Sequence, residues 1–507
     1  MSGILPNWLL PGLAVALPVT GSLVIFRAGH WKHRMTGLAV TGTVSLVTLA
    51  LTVIMAVTVA DGNRIDLVLF PLLPPWPVAF RVDAMGAVFA MTVAGLFALA
   101  MMHAVGYLPD DRRQWRFHGF LLASLGCLIG VALAANLLTL LLFYELFSLL
   151  AYPLIVHERK PEAFSAALKY LVYILSGGAL VFTGIVLVQH IAGSGTFVAG
   201  GMLPDGASDP ALIVAWAALM TGFGVKAALM PLHGWVPDVH PAAPSPFSAV
   251  LSGVMVAAGV FAILRVLFEI FGAGLLQRLG VLPWLAAFAG FAVIAGAMRA
   301  VAEDDLKRRL AYSTISQMAY VSLAASLASQ TALAGALVHI VHHAFFKGGL
   351  FLCAGLIIAT TGVRRISRMR GLGRRMPWTA GTLTLLALAM IGVPPLSGFT
   401  GKWVLGSGMA QAGGYAHLAI ILAGSLLAAL YLWPVVYRIW QTAEEPGPDC
   451  GEIPDRKPRQ DNRWMLTAVL ATGLMTILLG LAPRLPGFPL ELAETAARTL
   501  LGSPAWK

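Results

Sequence analysis

The sequence predicts an all-α, multi-pass membrane protein with about fourteen transmembrane helices, and three observations lead to this class. First, 58% of the 507 residues are hydrophobic and 11% are charged, whereas soluble chains contain about 25% charged residues. Second, the mean hydropathy is +0.81, and apolar runs of about 20 residues, long enough to cross a bilayer, recur along the chain. Third, loops rich in lysine and arginine alternate with loops that are poor in them.

Fourteen apolar runs lie between clusters of charge, glycine or proline, and each is predicted to be one span. Their approximate limits are 8–26, 37–60, 84–108, 117–134, 136–156, 167–190, 211–230, 246–271, 281–300, 310–329, 331–360, 377–410, 415–440 and 464–482.

The basic residues predict the orientation, because Lys and Arg concentrate in loops on the inner side of a membrane. With the N-terminus outside, the inside loops hold 24 of the 34 Lys and Arg, the outside loops hold 6, and four lie within spans. The even number of spans then places both termini outside. The N-terminal run has no basic residue before Arg27, so we expect a first span rather than a cleaved signal peptide. The inside loop 231–245 has no Lys or Arg, and its prolines predict a rigid link that lies partly within the membrane.

No metal site, cofactor site or catalytic residue is predicted. Cys127, Cys353 and Cys450 lie far apart in the sequence, which excludes CxxC-type metal or iron–sulfur motifs and a disulfide framework. Any redox centre is therefore expected on another protein. The net charge of +11 is accounted for by the orienting loops, so no nucleic-acid partner is predicted. The acidic segment 442–455 is predicted to be a solvated loop.

Six of the ionisable residues inside predicted spans stand out, because an isolated charge there costs from ~3 to more than 10 kcal/mol. They are the candidate proton-relay residues Glu145, Lys226, His339, His343, Lys347 and Lys402. Glu145 shares one helical stripe with Ser148 and Tyr152, which gives that stripe a polar face. The alternative for Glu145 is a carboxylate that is hydrogen-bonded to a neighbouring helix for packing alone.

Lys226 lies in an apolar run that is interrupted at Pro231, with no acid within ten residues on either side. Glu145 is the one acid near its depth on the preceding predicted spans, so we predict a pair that offsets the cost of desolvating each charge. A pair that forms and breaks can act as a proton switch. The alternative is a static buried salt bridge.

His339, His343 and Lys347 recur every four residues and therefore line one helix face, with His342 about 60° away. Because histidine changes charge near neutral pH, such a row can pass protons. One alternative is that the histidines only make hydrogen bonds. A zinc site is disfavoured, because no nearby cysteine or acid would complete it.

Lys402 also accompanies an interrupted helix, because Gly392, Pro394 and Pro395 cannot maintain a continuous hydrogen-bond ladder. Two interrupted segments five spans apart, each with one lysine, indicate inverted repeats with sites at the membrane midplane. Carbonyl groups freed at such breaks need protein or water partners. We therefore expect the breaks to supply hydration at Lys226 and Lys402.

Arg265 and Glu269 lie four residues apart at the outer end of a predicted span. We expect a salt-bridged pair whose side chains snorkel to the membrane surface.

Five segments carry a resemblance to a known family. They are FYELFSLLAYPLIVH, GVKAALMPLHGWVPDVHPAAPSPFSAVLSGVM, DDLKRRLAYSTISQMAYV, HIVHHAFFKGGLF and GVPPLSGFTGKW, all within residues 85–440. The chain resembles the antiporter-like, proton-conducting membrane subunits of respiratory complex I, of hydrogenase and formate hydrogenlyase membrane arms, and of Mrp-type cation/proton antiporters. The segments GLGRRMP and SLLAALYLWPVVYR look most like the D-type subunits of Mrp antiporters.

This resemblance implies fourteen helices, two inverted five-helix repeats, each with a broken helix, and a hydrophilic axis along the midplane. It also implies proton-relay roles for the six residues named above, other membrane subunits as partners, and a bacterial inner membrane as the location. The implied division is 1–110 for N-terminal helices, 111–275 and 276–440 for the two repeats, and 441–507 for a cytoplasmic loop, the last span and a short tail.

One departure from the family concerns the helix after the first break, where members often carry Lys or His. This chain has Val256, Ala257 and Ala258 there. The connection between Lys226 and the histidine row is therefore expected to use Ser252, water or another group.

The sequence favours a proton-translocating subunit of a multisubunit Na+/H+ antiporter, with H+ and Na+ as the transported ions. A first alternative is a proton-pumping membrane-arm subunit of a redox complex, of the NADH-quinone oxidoreductase or hydrogenase type, without its own redox centre. A second alternative is a structural subunit with an inactive channel, which the missing charge near Ala257 permits.

Overall fold

The predicted class is confirmed, because the computed structural model is built almost entirely from apolar α-helices. It describes residues 6–28, 34–73, 76–108, 111, 113–204, 206–442, 462–483 and 489–502. Cys450, nearly all of the acidic segment 442–455 and both chain ends lie outside the described residues.

The helices follow one another with short connections. Two π-helical turns are part of the same run of helix: Leu251–Met255 joins α9 to α10, and Val266–Phe271 extends α10 at its C-terminal end. The helices are α1 (Leu10–Ala28), α2 (Arg34–Ala60), α3 (Ala84–Tyr107), α4 (Gln114–Ala132), α5 (Leu137–Ile155), α6 (Pro161–Ala192), α7 (Asp209–Lys226), α8 (Val236–Ala242), α9 (Ser245–Val250), α10 (Val256–Arg265), α11 (Ala273–Leu279), α12 (Leu282–Ala302), α13 (Leu306–Ala325), α14 (Gln330–Thr361), α15 (Leu372–Arg375), α16 (Pro377–Ile391), α17 (Ser397–Gln411), α18 (Tyr415–Trp440), α19 (Asn462–Leu481) and α20 (Pro489–Leu501).

Every predicted span corresponds to a helix or a pair of helices. Within the described residues, eleven helical segments are long and apolar enough to cross a membrane. The other three predicted spans correspond to α7, to α13 and to the broken pair α16 and α17. Of these, α7 has 18 residues and α13 is more polar than those eleven segments. The eleven-helix count and the prediction of fourteen therefore differ at the broken or polar helices.

The helix α14 is the centre of the molecule. It is 32 residues long, and most of its side chains are buried against α3, α9, α13, α16, α17, α19 and α20. Because α14 is surrounded by protein, its histidines and lysine can be polar without facing lipid.

Loops that are predicted to share a side do meet in the structure. On one face, Lys169 and Arg308 both bind Asp238, at 2.7 and 3.3 Å, and Leu306 N donates to Arg364 O at 3.0 Å. We call the surface formed by Lys160, Lys169, Asp238, Arg308 and Arg364 the basic face. It is the side that the charge distribution predicts to be inside.

The opposite ends of these helices form a second face, which carries two elements that the sequence analysis does not predict. Strands β1 (Ile65–Leu73) and β2 (Trp76–Val82) pair as an antiparallel hairpin. The helix α20 (Pro489–Leu501) packs its apolar side on α14 and α3. We call the surface formed by this hairpin and α20 the hairpin face.

Candidate functional site

Lys226 is the last residue of α7, and its ammonium group is held by α5. The side chain is 2% exposed. Its Nζ donates to Ser148 Oγ and, at 3.4 Å, to Tyr144 O. It also lies 3.5 Å from the ring centre of Phe147 and 4.3 Å from that of Tyr144. Neutral oxygens and aromatic faces therefore take the place of water around this cation.

Glu145 lies close to Lys226 but does not form an ion pair with it in this structure. No Glu145 oxygen comes within the 4.0 Å limit for a salt bridge, although the two charges still interact electrostatically. Glu145 is half-buried, and its Oε1 has no hydrogen-bond partner among the described residues. This oxygen lies against Gly178 of α6, where a Cβ would be 2.5 Å away.

The break after Lys226 is stabilised by side chains and by close packing. Trp235 Nε1 donates to Val225 O at 2.9 Å, which satisfies one of the carbonyl groups at the end of α7. The chain then passes beside Gly259 of α10, where a Cβ would lie 2.8 Å from the Lys226 carbonyl carbon. Any larger residue at position 259 would push α10 away from the break that carries the lysine.

Lys347, on the central helix α14, has the same kind of surroundings as Lys226. It is fully buried on α14 and donates to Ser313 Oγ at 2.5 Å and to Leu310 O at 3.5 Å, both on α13. A hydroxyl and a carbonyl oxygen thus solvate both ammonium groups.

The expected connection through Ser252 exists as a pair of buried hydroxyls. Ser252 lies in the π-helical turn before α10, and its Oγ is 2.6 Å from Thr314 Oγ1 of α13. Thr314 donates to Leu310 O at 2.9 Å, which is the carbonyl that Lys347 also contacts. Ala257 is fully buried and provides no polar atom. The polar connection between the π-helical turn and the oxygens around Lys347 is therefore made by hydroxyls.

His339 and His343 continue the row along α14. Both are fully buried, and their ring centres are 6.3 Å apart. Neither ring has a hydrogen bond of good geometry among the described residues, although the backbones of Gln317 and Gly253 lie beside them. Tyr320 stacks on His339 with centres 5.6 Å apart. Both rings are thus enclosed by protein, and no hydrogen bond of good geometry holds either of them within the described part of the chain.

Lys402 is held by the break in front of it. Its Nζ donates to Met390 O at 2.9 Å and to Ile391 O at 3.0 Å, the carbonyls left without helical partners where α16 ends at Gly392. Its Nζ also lies 5.6 Å from the ring centre of Tyr320. The expectation that freed carbonyls need a partner is met here by the lysine itself.

Three groups in this site were not singled out by the sequence analysis: Ser313, Thr314 and Tyr320. All three lie on α13 within the segment DDLKRRLAYSTISQMAYV, whose density of hydroxyl residues inside a predicted span is the signal that could have found them. His342, expected about 60° from the row, turns to α17, where its Nδ1 lies 2.9 Å from the Cβ position of Gly401.

The prediction that Arg265 and Glu269 snorkel to the surface is wrong. The pair exists, with Arg265 Nη1 donating to Glu269 Oε2 at 2.7 Å, but Arg265 is 1% and Glu269 5% exposed. Both are buried because a third residue, Asp83 of the α3 N-terminus, binds Arg265 with two oxygens at 2.5 and 3.0 Å. The i, i+4 spacing predicts the pair Arg265–Glu269, but no local sequence pattern predicts that Asp83 also binds Arg265.

Within the described residues, no three His, Cys, Asp or Glu side chains come together as they would to hold a metal ion. Cys127 and Cys353 are buried free thiols.

The sequence of this chain matches a family model and several known membrane subunits. Residues 134–428 match the family model described as NADH:quinone oxidoreductase/Mrp antiporter, TM. NADH-quinone oxidoreductase subunit N of Desulforudis audaxviator is 34% identical over 422 residues, which cover 80% of this chain and 83% of that protein. The D-type subunit of the Na(+)/H(+) antiporter of Alkalihalophilus pseudofirmus is 26% identical over 485 residues, 93% of each chain.

The fold is also that of a solved structure. A chain in the Mrp complex from Dietzia sp. DQ12-45-1b superposes with a TM-score of 0.86 over 98% of both chains, at 23% sequence identity.

The contact between Gly178 and Glu145 generates a prediction. We expect Gly178→Ala to move the Glu145 carboxylate and to lower transport by at least about tenfold, the scale on which misplacing a proton-transfer group acts. Assembly should survive, because the displaced atoms are the end of a flexible side chain. The control is Gly381→Ala, where no atom lies within 4 Å of the new Cβ. Proton flux measured in vesicles checks this, and wild-type flux in Gly178→Ala contradicts it.

Proposed function

The chain belongs to the NADH:quinone oxidoreductase/Mrp antiporter family of membrane subunits, and we propose that it moves protons across the membrane through six of its own side chains. They are Glu145, Lys226, Lys347, His343, His339 and Lys402. The observation that carries this proposal is that three ammonium groups, two of them buried and that of Lys402 half-buried, are held by hydroxyl or carbonyl oxygens, and no carboxylate of the described residues is bound to any of them. A bound carboxylate would favour the protonated form of a lysine, whereas these neutral partners solvate the cation and leave its proton exchangeable.

In the proposed cycle, the first half is switched by Glu145. Lys226 alternates between its present contact with Ser148 and an ion pair with Glu145, and its proton is released when that pair opens. The proton crosses by water near Ser252 and Thr314 to Lys347. His343 and His339 relay it to Lys402, which exchanges it with the other side of the membrane.

Several structural assignments belong to this proposal. The segments α7, α13 and the pair α16 and α17 complete a set of fourteen spans. The basic face lies inside, so both chain ends lie outside. The inverted repeats at 111–275 and 276–440 stay a prediction, supported by the lysine that each broken helix carries beside its break.

For the complex in which the chain works, we favour a monovalent cation/proton antiporter of the Mrp type, with other membrane subunits as partners. The match over 93% of the length of a D-type antiporter subunit supports this assignment. The second candidate is a proton-pumping membrane arm of a redox complex, and the 34% identity with an NADH-quinone oxidoreductase subunit N supports it. Neither candidate needs a redox centre on this chain.

Lys226→Ala tests the core of the proposal. We expect it to lower coupled proton transport by at least about tenfold, because the switch in the first half is lost, while assembly survives. The control is Lys160→Ala, which removes an exposed lysine of the basic face. Proton flux is measured in vesicles that contain the complex with its partners. Near-normal flux in Lys226→Ala would leave the chain as a structural subunit with an inactive channel.

Ser252→Ala tests the crossing. We expect reduced transport, by at least about tenfold, because the hydroxyl pair that replaces a charge near Ala257 is broken. Ser316→Ala is the matched control, since Ser316 is also fully buried but bonds Val293 O at 2.7 Å, away from the row. Equal flux in the two variants contradicts a crossing at Ser252.

The effect of a Na+ gradient on proton movement distinguishes the two candidate complexes. For an antiporter, we expect an imposed Na+ gradient to drive proton movement in vesicles with the purified complex, and Lys226→Ala to abolish it. Proton movement that ignores Na+ but follows oxidation of a donor by a co-purified partner establishes the redox alternative instead.

A further inference from the structure

A cavity of about 480 Å³ opens at the hairpin face. Its walls come from the α2–β1 turn, strand β2, the α6–α7 loop, the end of α10 and the polar side of α20. Three charged groups line its floor, the buried Arg265 and Glu269 and the half-buried Asp83. These groups take no part in the relay proposed above.

The charges on this floor do not balance. Arg265 Nη1 donates both to Asp83 Oδ2 at 2.5 Å and to Glu269 Oε2 at 2.7 Å. The two carboxylate oxygens are therefore at most about 5.2 Å apart. One guanidinium thus faces two carboxylates, and a buried site with an uncompensated negative charge is costly. Binding one proton would neutralise it.

Two further arginines line the cavity and neither binds Glu269, because Arg64 is exposed and Arg81 is already engaged. Arg81 Nε binds Asp66 Oδ1 at 2.9 Å, and Arg81 Nη1 donates to Phe197 O at 2.8 Å. The aromatic rings of Phe197 and Phe261 cover the Arg265 guanidinium, with ring centres 5.5 and 5.1 Å from Cζ. The second carboxylate therefore has no arginine of its own among the described residues.

Of the two carboxylates, Asp83 accepts more hydrogen bonds. It holds Arg265 with both oxygens, and its Oδ1 also accepts from Gly86 N at 2.7 Å, which caps α3. Glu269 has a single side-chain bond, on a π-helical turn, a feature frequent at functional sites. Arg265 also lines the cavity, and its buried Nε has no hydrogen-bond partner among the described residues.

We propose that Glu269 is a proton-binding group at the hairpin-face cavity and exchanges protons between the medium on that face and the first half of the molecule. Glu269 lies ten residues, about 15 Å, along the helix from Gly259, which packs on the backbone of Lys226. Glu269 therefore lies at the cavity end of the helical segment whose other end packs on the backbone of Lys226. The inference rests on the proposed function, because it supplies that function with an opening at the hairpin face.

Glu269→Gln is the informative variant, because an amide oxygen can still accept from Arg265 while the group can no longer bind a proton. We expect the complex to assemble and proton transport to fall by at least about tenfold. Asp209→Asn is the control, since Asp209 is an exposed acid on the same face, bound to Arg278 at 3.0 Å. Infrared difference spectra of the wild-type complex should show a protonated carboxyl band that is lost in Glu269→Gln and kept in Asp209→Asn.

Wild-type transport in Glu269→Gln overturns the inference, and so does a carboxyl band that persists in that variant. Failure of the proposed function is a separate outcome, since it requires normal transport in Lys226→Ala. Should the amide variant not assemble, Glu269→Asp keeps a titratable group but withdraws it from Arg265. We then expect transport with an altered pH profile, and an unchanged rate and profile would overturn the inference.

Discussion

The structure depends on one constraint: a charged group surrounded by protein and lipid must find oxygen atoms or aromatic faces to replace water. Lys226, Lys347 and Lys402 meet this constraint in three ways. Lys226 uses a hydroxyl and two aromatic rings of α5, Lys347 uses a hydroxyl of α13, and Lys402 uses the last carbonyls of α16. The broken helices, the hydroxyl-rich α13 and the buried position of α14 all follow from the need to hold these three cations.

Much of this could be read from the sequence, because apolar length, prolines and isolated charges are local signals. The spans, the two breaks and the six ionisable residues needed no knowledge of which helices are neighbours. Which oxygen binds which lysine does depend on neighbours. Glu145 was expected to bind Lys226, yet Ser148, three residues further along α5, makes the contact.

The elements that sequence reasoning missed share a physical cause. The β1–β2 hairpin contains adjacent prolines and lies between spans, so neither alternation nor length marked it. Asp83 lies 182 residues before Arg265, and such a distant partner has no periodic signature. Because Asp83 supplies a second carboxylate, the Arg265–Glu269 pair changes from an ordinary surface salt bridge into a buried site with one charge too many.

The two lysines at the breaks also differ in how freely they can move, and this difference bears on mechanism. Lys402 is tied to backbone carbonyls of the adjacent helix half, which move only if the break itself opens. Lys226 is tied to side chains of a different helix, and its two possible partners, Glu145 and Ser148, are one helical turn apart on α5. A change of lysine rotamer, over roughly 4.5 Å of helix rise, exchanges a hydroxyl for a carboxylate. In the proposed cycle, the first half of the chain is therefore the half that switches, while the second half holds and relays the proton.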